Sequence, residues 1–384
     1  MQNSSTKVLI AGGGIGGLTA AIALRRKGFS VQLLEQAPEF RPLGAGITLQ
    51  MNAMQALRHV GLCEPVAAAG HPLHRLVIRR ANGRPVAAED IRPFSREFGV
   101  PFLAVHRAQL QQVLLDQAQD IEIHTGFRVI ECEEAGETVT AVAEDGRRAE
   151  GHALIGADGL HSRVRHHLWN DGPPQYSGYT SWRAVTDNRD RVPVDDGGES
   201  WGEKSVLGLI PLKDAKLYWF ATQRADAGGA DPADPRDSLL PVFGTWHQPI
   251  PSIIEQTDPL QIIRTDIRDR PVRFPWGRGR ITLLGDAAHP MTPNLGQGGG
   301  QAIEDAVTLA ECLDQSQTIE HGLRDYEHRR SPRTRLVVQS SRRMSDLSHG
   351  RTPLHRFARR FLFPNIPSAI HNRLTRKLFE FKVE

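Results

Sequence analysis

Residues 7–35 read KVLIAGGGIGGLTAAIALRRKGFSVQLLE. Val8 to Ala11 is a short apolar run that predicts a buried strand, and a glycine cluster ends it at once. Residues 15–27 carry a helical pattern that Gly28 stops, and Val31 to Glu35 predicts a second strand. Strand, glycine turn, helix and strand open an α/β fold with a parallel sheet. The spacing Gly12-x-Gly14-x-x-Gly17 lets the backbone turn tightly and approach a pyrophosphate. The helix N-terminus behind it supplies free N–H groups and partial positive charge. Glu35 ends the second strand 18 residues past Gly17, where a carboxylate accepts from ribose hydroxyls. The pattern predicts a dinucleotide site and leaves NAD and FAD both open.

Two further segments have the same form. A strand at 153–155 runs into Gly156-Ala157-Asp158-Gly159 and on to Arg165. A strand at 281–284 runs into Gly285-Asp286-Ala287-Ala288-His289-Pro290, then Pro293 to Gly300, then a helix over 301–314. That last stretch again sets glycines before a helix N-terminus and suits an anion, either a phosphate or an anionic ring. Residues 121–124 and 138–143 read as extended, and 205–222 as a hairpin turning near Lys213-Asp214. The Gly-, Ala-, Asp- and Pro-rich stretch 225–237 reads as a surface excursion. From about 320 the chain is helical and arginine-rich.

The whole chain has 384 residues, 47 Lys+Arg and 44 Asp+Glu. That length suits two domains, or one large α/β body with an inserted part. The net charge of +3 argues against a nucleic-acid binder, whose basic excess is larger. Cys63, Cys132 and Cys312 are too far apart for a zinc or redox pair and read as reduced thiols of a cytoplasmic protein. The sixteen histidines show no metal spacing, so no metal site is expected. Neither a signal peptide nor a transmembrane helix is expected.

Together, the glycine triplet at 12–17, GADG at 156–159 and GDAAH at 285–289 resemble the single-component FAD-dependent aromatic monooxygenases of the para-hydroxybenzoate-hydroxylase type. The resemblance runs from about residue 7 to 375. It implies a Rossmann-type FAD-binding domain interleaved with a β-sheet substrate domain, and a helical C-terminal part. The expected ranges are 1–75, 100–175 and 270–320 for FAD, 76–99 and 176–269 for substrate, and 321–384 for the helical part. Carried over motif by motif, Gly12, Gly14, Ile15, Gly16 and Gly17 hold the FAD pyrophosphate. Glu35 and Gln36 lie at the adenosine ribose, and the Val129 backbone meets the adenine. Arg107 and Asp286 face the phosphate and ribityl chain, and Asp158 belongs to a motif serving both FAD and nicotinamide. Gly46 and Thr48 lie on the flavin side, and Pro293 borders the flavin edge where oxygen reacts. Gly296, Gln297, Gly298 and Gly299 lie under the pyrimidine ring. His289 is expected to be structural, and Trp182, Trp201 and Trp219 to be packing.

The implied reaction reduces non-covalent FAD with NADH or NADPH, captures O2 as a C4a-hydroperoxide and transfers oxygen to an electron-rich ring. Tyr218 aligns with the tyrosine that urate hydroxylases set against substrate. Their partner arginine corresponds to Val206 and their acidic residue to Asn294, so a charged purine is disfavoured. Segments 41–54, 177–185 and 291–299 are most similar to the alkylquinolone hydroxylase branch, with salicylate and hydroxybenzoate hydroxylases as near relatives. A fairly hydrophobic aromatic or heteroaromatic substrate is expected. Two alternatives stay open: an FAD-dependent epoxidase of a hydrophobic substrate, and a flavin dehydrogenase or reductase without oxygen transfer.

Residues 351–384 carry 8 Lys/Arg against 2 Asp/Glu. Leu354, Phe357, Ala358, Phe361 and Leu362 form one helical stripe, and Ile370, Leu374, Leu378 and Phe381 form another beyond Pro364 and Pro367. Either both stripes pack on the body, or the pair lies on a membrane surface.

Overall fold

The computed structural model describes residues 3–41, 44–188 and 197–382. Five parallel strands form one sheet, in the order Ile281–Leu283, Ala153–Gly156, Lys7–Ala11, Ser30–Leu34, Glu122–His124. The inner strands Ala153–Gly156 and Lys7–Ala11 are apolar almost throughout, as strands covered on both faces require. The register pairs Ala11 with Gly156 on one side and Leu34 on the other, and Gly156 with Leu283. Every chain segment leaving these strands therefore emerges at one edge. Ligands of open parallel sheets bind along that carboxyl edge.

A seven-stranded sheet is built from Arg75–Arg80, Pro85–Asp90, Gln175–Asp187, Gly197–Trp201, Ser205–Pro211, Lys216–Gln223 and Ile263–Asp269. The predicted hairpin is its centre, and Asp214 and Ala215 take the left-handed turn positions. Alternation sorts its two faces. Trp182, Ala184, Leu207, Leu217, Trp219 and Ala221 pack on the helices Arg236–Phe243 and Ile250–Gln256. Val185, Ile210, Tyr218 and Phe220 point the other way, against the core of the five-stranded body. Trp182, Trp201 and Trp219 are all buried, as packing residues should be.

Two helices, Gly298–Gln315 and Ile319–Ser348, complete the body. Beyond them lie the helix Pro353–Phe357, a π-helical turn Ala358–Leu362, a 3-10 turn Phe363–Asn365, and the helix Ser368–Phe379. The two stripes do not pack as whole units. Phe381 is buried and Leu378 packs on the main core, but Leu354, Phe357, Phe361, Leu362, Ile370 and Leu374 are exposed. Among the described residues no helix is long and apolar enough to cross a membrane.

Candidate active site

The glycine turn is fixed by packing before any ligand arrives. Gly12 has φ of +109°, and a Cβ there would stand 2.4 Å from the Ala157 carbonyl oxygen. A Cβ on Gly17 would meet the Gly12 carbonyl oxygen at 1.9 Å, and one on Gly16 would meet Leu284 at 2.8 Å. Gly14 differs: a Cβ there would meet nothing within 4 Å. It caps the helix Ile15–Arg26, which has no side-chain cap, so the first N–H groups face open space. Ile15 is buried in the core. Glu35 is held rigidly, its Oε2 accepting from Gly13 N at 2.6 Å and its Oε1 from Ala37 N at 2.7 Å. Gln36, Gly126 and Arg128 line a surface depression beside Val129, whose side chain is buried.

Sheet register brings the other two motifs alongside. Asp158 Oδ2 accepts from the N–H groups of Arg163 at 2.7 Å and Val164 at 3.2 Å, while its Oδ1 is buried without a partner. Arg165 is buried and donates to the carbonyls of Ala287 at 3.0 Å and Ala288 at 2.8 Å. It clamps the second motif to the third and so acts structurally. Asp286 is enclosed by protein yet its side chain stays open to solvent, which marks it as the wall of a cleft. Its low-dielectric surroundings push the carboxyl upward, against the opposing pull of His289 and Arg107; the open side chain tempers that rise. Arg107 begins the helix Arg107–Asp116, and Gln111 one turn on donates to the Gly13 carbonyl at 3.2 Å.

His289 is buried and bonds Asp305 at 2.6 Å, in keeping with a structural role. Asp305 also accepts from Gly285 N at 3.0 Å and Arg330 Nε at 2.6 Å. Burial alone would raise Asp305, but His289 and Arg330 overcome it and hold the carboxyl at about 2. Glu304 beside it takes Arg330, Arg333 and Asn52. Gln297 turns inward: its oxygen accepts from Asn52 at 2.9 Å and Gln301 at 3.0 Å, and its nitrogen donates to Gln50. This network fixes the uncapped start of the helix Gly298–Gln315. A Cβ on Gly298 would lie 3.9 Å from Asp286 Oδ1, so the helix start faces the same cleft. Pro293 is exposed on the turn before it.

The seven-stranded sheet closes the cleft. The Tyr218 ring lies so close to Gly46 that a Cβ there would stand 2.4 Å from it. Gly46 begins the strand Gly46–Leu49, and Thr48 two residues on abuts Gly296. Tyr218, Gly46, Thr48 and Gly296 thus line one continuous wall. Burial and the nearby Glu199 push the Tyr218 phenol up to about 12 against Arg183, so at neutral pH it is a donor. Sequence reading missed Glu199 and Arg183. Register sets Glu199 opposite Gly208, Gly208 opposite Phe220 and Phe220 opposite Arg183, all on the face carrying Tyr218. For Arg183 the signal was available, since residues 182–185 alternate between the two faces. Asn294 Oδ1 accepts from the Tyr179 hydroxyl at 2.7 Å.

The residues fit FAD. Open space stands before Gly14, two uncapped helix starts face the cleft, and Asp286 offers a solvent-open carboxylate to hydroxyl groups. Fold and site together define an α/β protein built around a flavin dinucleotide. The family described as FAD binding domain matches residues 5–341, and the chain belongs to it. Aurachin C monooxygenase/isomerase of Stigmatella aurantiaca is 42% identical over 375 residues, covering 97% of this chain and 98% of that protein. The FAD-dependent urate hydroxylase of Klebsiella pneumoniae is 34% identical over 355 residues, covering 90% and 91%. The crystal structure of Klebsiella pneumoniae HpxO complexed with FAD and uric acid superimposes with a TM-score of 0.91 at 32% identity, covering 98% and 97%.

Proposed function

We propose that this chain is an FAD-dependent monooxygenase that hydroxylates a hydrophobic aromatic or heteroaromatic small molecule with NADH or NADPH and O2. The observation that carries the reading is the shared wall of Tyr218, Gly46, Thr48 and Gly296, which faces a second sheet toward the flavin cleft. FAD, when bound, takes two electrons from the nicotinamide and passes them to O2, so that one oxygen atom enters the substrate and the other leaves as water. The two relatives matched over nearly their whole length carry the names monooxygenase and hydroxylase, which favours hydroxylation over epoxidation.

The division of labour follows the two sheets: residues 1–75, 100–175 and 270–320 bind FAD, and 76–99 and 176–269 bind substrate. The N–H groups at Gly14 to Gly17 take the pyrophosphate, Glu35 and Gln36 the ribose, and the Val129 backbone the adenine. Arg107 and Asp286 orient the ribityl-phosphate part, with Asp158 beside them. The start of the helix Gly298–Gln315 lends its dipole to negative charge on the pyrimidine ring. Gln297 serves this wall from behind, and Pro293 borders it. Tyr218 donates its hydroxyl hydrogen to a substrate oxygen and orients the ring. Val206 and Asn294 stand where urate hydroxylases carry charge, which supports a neutral, fairly hydrophobic substrate over a purine. The three free, buried cysteines fit work in a reducing compartment such as the cytoplasm.

The test is a screen of phenols, quinolones and purines for stimulated NADH or NADPH oxidation, with product mass measured. A quinolone or phenol gaining one oxygen atom is the expected result. Nicotinamide oxidation that never yields an oxygenated product would replace this reading with a dehydrogenase or reductase.

A further inference from the structure

Seven of the twelve large hydrophobic side chains exposed among the described residues fall within residues 354–374. Scattered exposed apolar residues need no explanation, but this is a cluster. Its members cannot fold inward, because the opposite side of the same segment is already bonded to the body. Arg359 donates to the carbonyls of Gly202 at 2.6 Å and Ser348 at 2.7 Å. The Phe363 ring packs on Trp201 at 5.2 Å between centroids. Arg376 pairs with Glu97 at 2.8 Å, and Phe379 is buried.

Charge selects the partner. Residues 351–384 are net +6, while the remaining 350 are net −3. Arg360, Arg373 and Lys377 are exposed and have no carboxylate partner among the described residues. Arg360 lies over the Phe361 ring at 5.4 Å, so cation and apolar side chain are presented together. A second copy would set two such cationic faces against each other, which opposes self-association. An anionic bilayer meets both requirements: apolar side chains enter the acyl boundary and cations stay at the headgroups.

We propose that residues 354–374 are a docking face for the surface of an anionic lipid bilayer. The anchoring contacts at Trp201 and Gly202 lie at the end of the strand Gly197–Trp201, in the sheet that carries Tyr218, so docking holds that end of the sheet beside the lipid. Delivery of a lipophilic substrate from the bilayer rests on the function proposed above; the docking itself does not.

The experiment sediments the full-length, FAD-loaded protein with phosphatidylcholine–phosphatidylglycerol vesicles and with pure phosphatidylcholine vesicles. The protein should pellet with the mixed vesicles alone, and high salt should release it. The triple substitution Arg360→Gln, Arg373→Gln, Lys377→Gln should weaken partitioning by on the order of a hundredfold. Phe361→Ser with Leu362→Ser should also abolish pelleting, and flavin absorbance should be retained in both variants. Failure to pellet at low salt overturns the proposal. A lipid-free dimer that the Phe361→Ser, Leu362→Ser variant breaks would assign the face to a second copy and overturn it equally.

Discussion

Asp286 and Arg107 hold the same stretch of cleft from opposite charges, and each is proposed to grip the ribityl-phosphate part of FAD. Charge-assisted hydrogen bonds of this kind contribute roughly 1.5–3 kcal/mol. Asp286→Ala and Arg107→Ala should each lower FAD affinity about tenfold or more, with an unchanged far-ultraviolet circular dichroism spectrum. Fluorescence titration of apoprotein with FAD measures this, and wild-type affinity in both would remove them from the site. Tyr218 acts through its phenol, which stays protonated at neutral pH. Tyr218→Phe deletes one donor and should uncouple the reaction, with hydrogen peroxide replacing hydroxylated product at undiminished nicotinamide oxidation. Full coupling in that variant would leave Tyr218 a packing residue. These residues were legible because each sits in or beside a motif whose local chemistry is specific. Glu199 was not, because its place opposite Gly208 comes from pairing between strands that no local pattern encodes. Gln297 was legible as a member of the glycine loop, but its inward turn toward Asn52 depends on a helix about 245 positions away.

At the scale of elements, the helices Gly298–Gln315 and Ile319–Ser348 are joined by Glu304 and Asp305 on one and Arg330 and Arg333 on the other. Removing one member of a buried pair strands the other charge. Arg330→Met should therefore destabilise the fold by about 3–5 kcal/mol in urea unfolding, with FAD retention falling in parallel. A loss below about 1 kcal/mol, the scale of a surface pair, would contradict this account. The C-terminal end of the second helix is tied by His349, whose Nε2 meets the Thr222 hydroxyl at 2.9 Å and whose Nδ1 meets the Ser345 carbonyl at 3.0 Å. Burial lowers this imidazole from 6.5 to about 4, so the folded protein holds it neutral while the unfolded chain binds a proton below 6.5. Its stabilising contribution is complete above pH 6.5 and drains away as pH falls toward 4, by on the order of 3 kcal/mol. Melting temperature should drop more steeply from pH 7 to 5 in the wild type than in His349→Gln; parallel slopes would exonerate His349. The strands and helices of the five-stranded body were readable from apolar runs and glycine stops. The strands at the edges of the larger sheet, Pro85–Asp90 and Ile263–Asp269, were not, since their residues are half-exposed and lack alternation.

Across the whole molecule, the cofactor cleft is assembled from segments that follow three adjacent parallel strands, at residues 12–17, 156–158 and 285–299. The order of motifs along the chain and the fold class could be read from sequence because each motif restates the same strand-to-loop logic. The outward-facing stripe on residues 354–374 could not be assigned from periodicity, which predicts that a helix has an apolar side but not what covers it. The cleft is expected to hold its flavin without a covalent bond. Acid precipitation of the yellow holoprotein should release all flavin, and colour left in the pellet would contradict this. Free FAD at about a hundred times its dissociation constant should add about 2.7 kcal/mol to the stability of the apoprotein, visible as a rise in melting temperature.

The position of the Arg330 lock has a consequence for biosynthesis. The third wall of the cleft is translated by residue 299, yet the side chains that clamp its helix follow only at Arg330 and Arg333. A ribosome-bound chain that ends before them has made every residue proposed to touch FAD and still lacks the counter-charges for Glu304 and Asp305. Flavin capture is thereby deferred to the closing stage of translation, and nascent chains arrested with residue 320 outside the exit tunnel should stay colourless while those released at full length turn yellow.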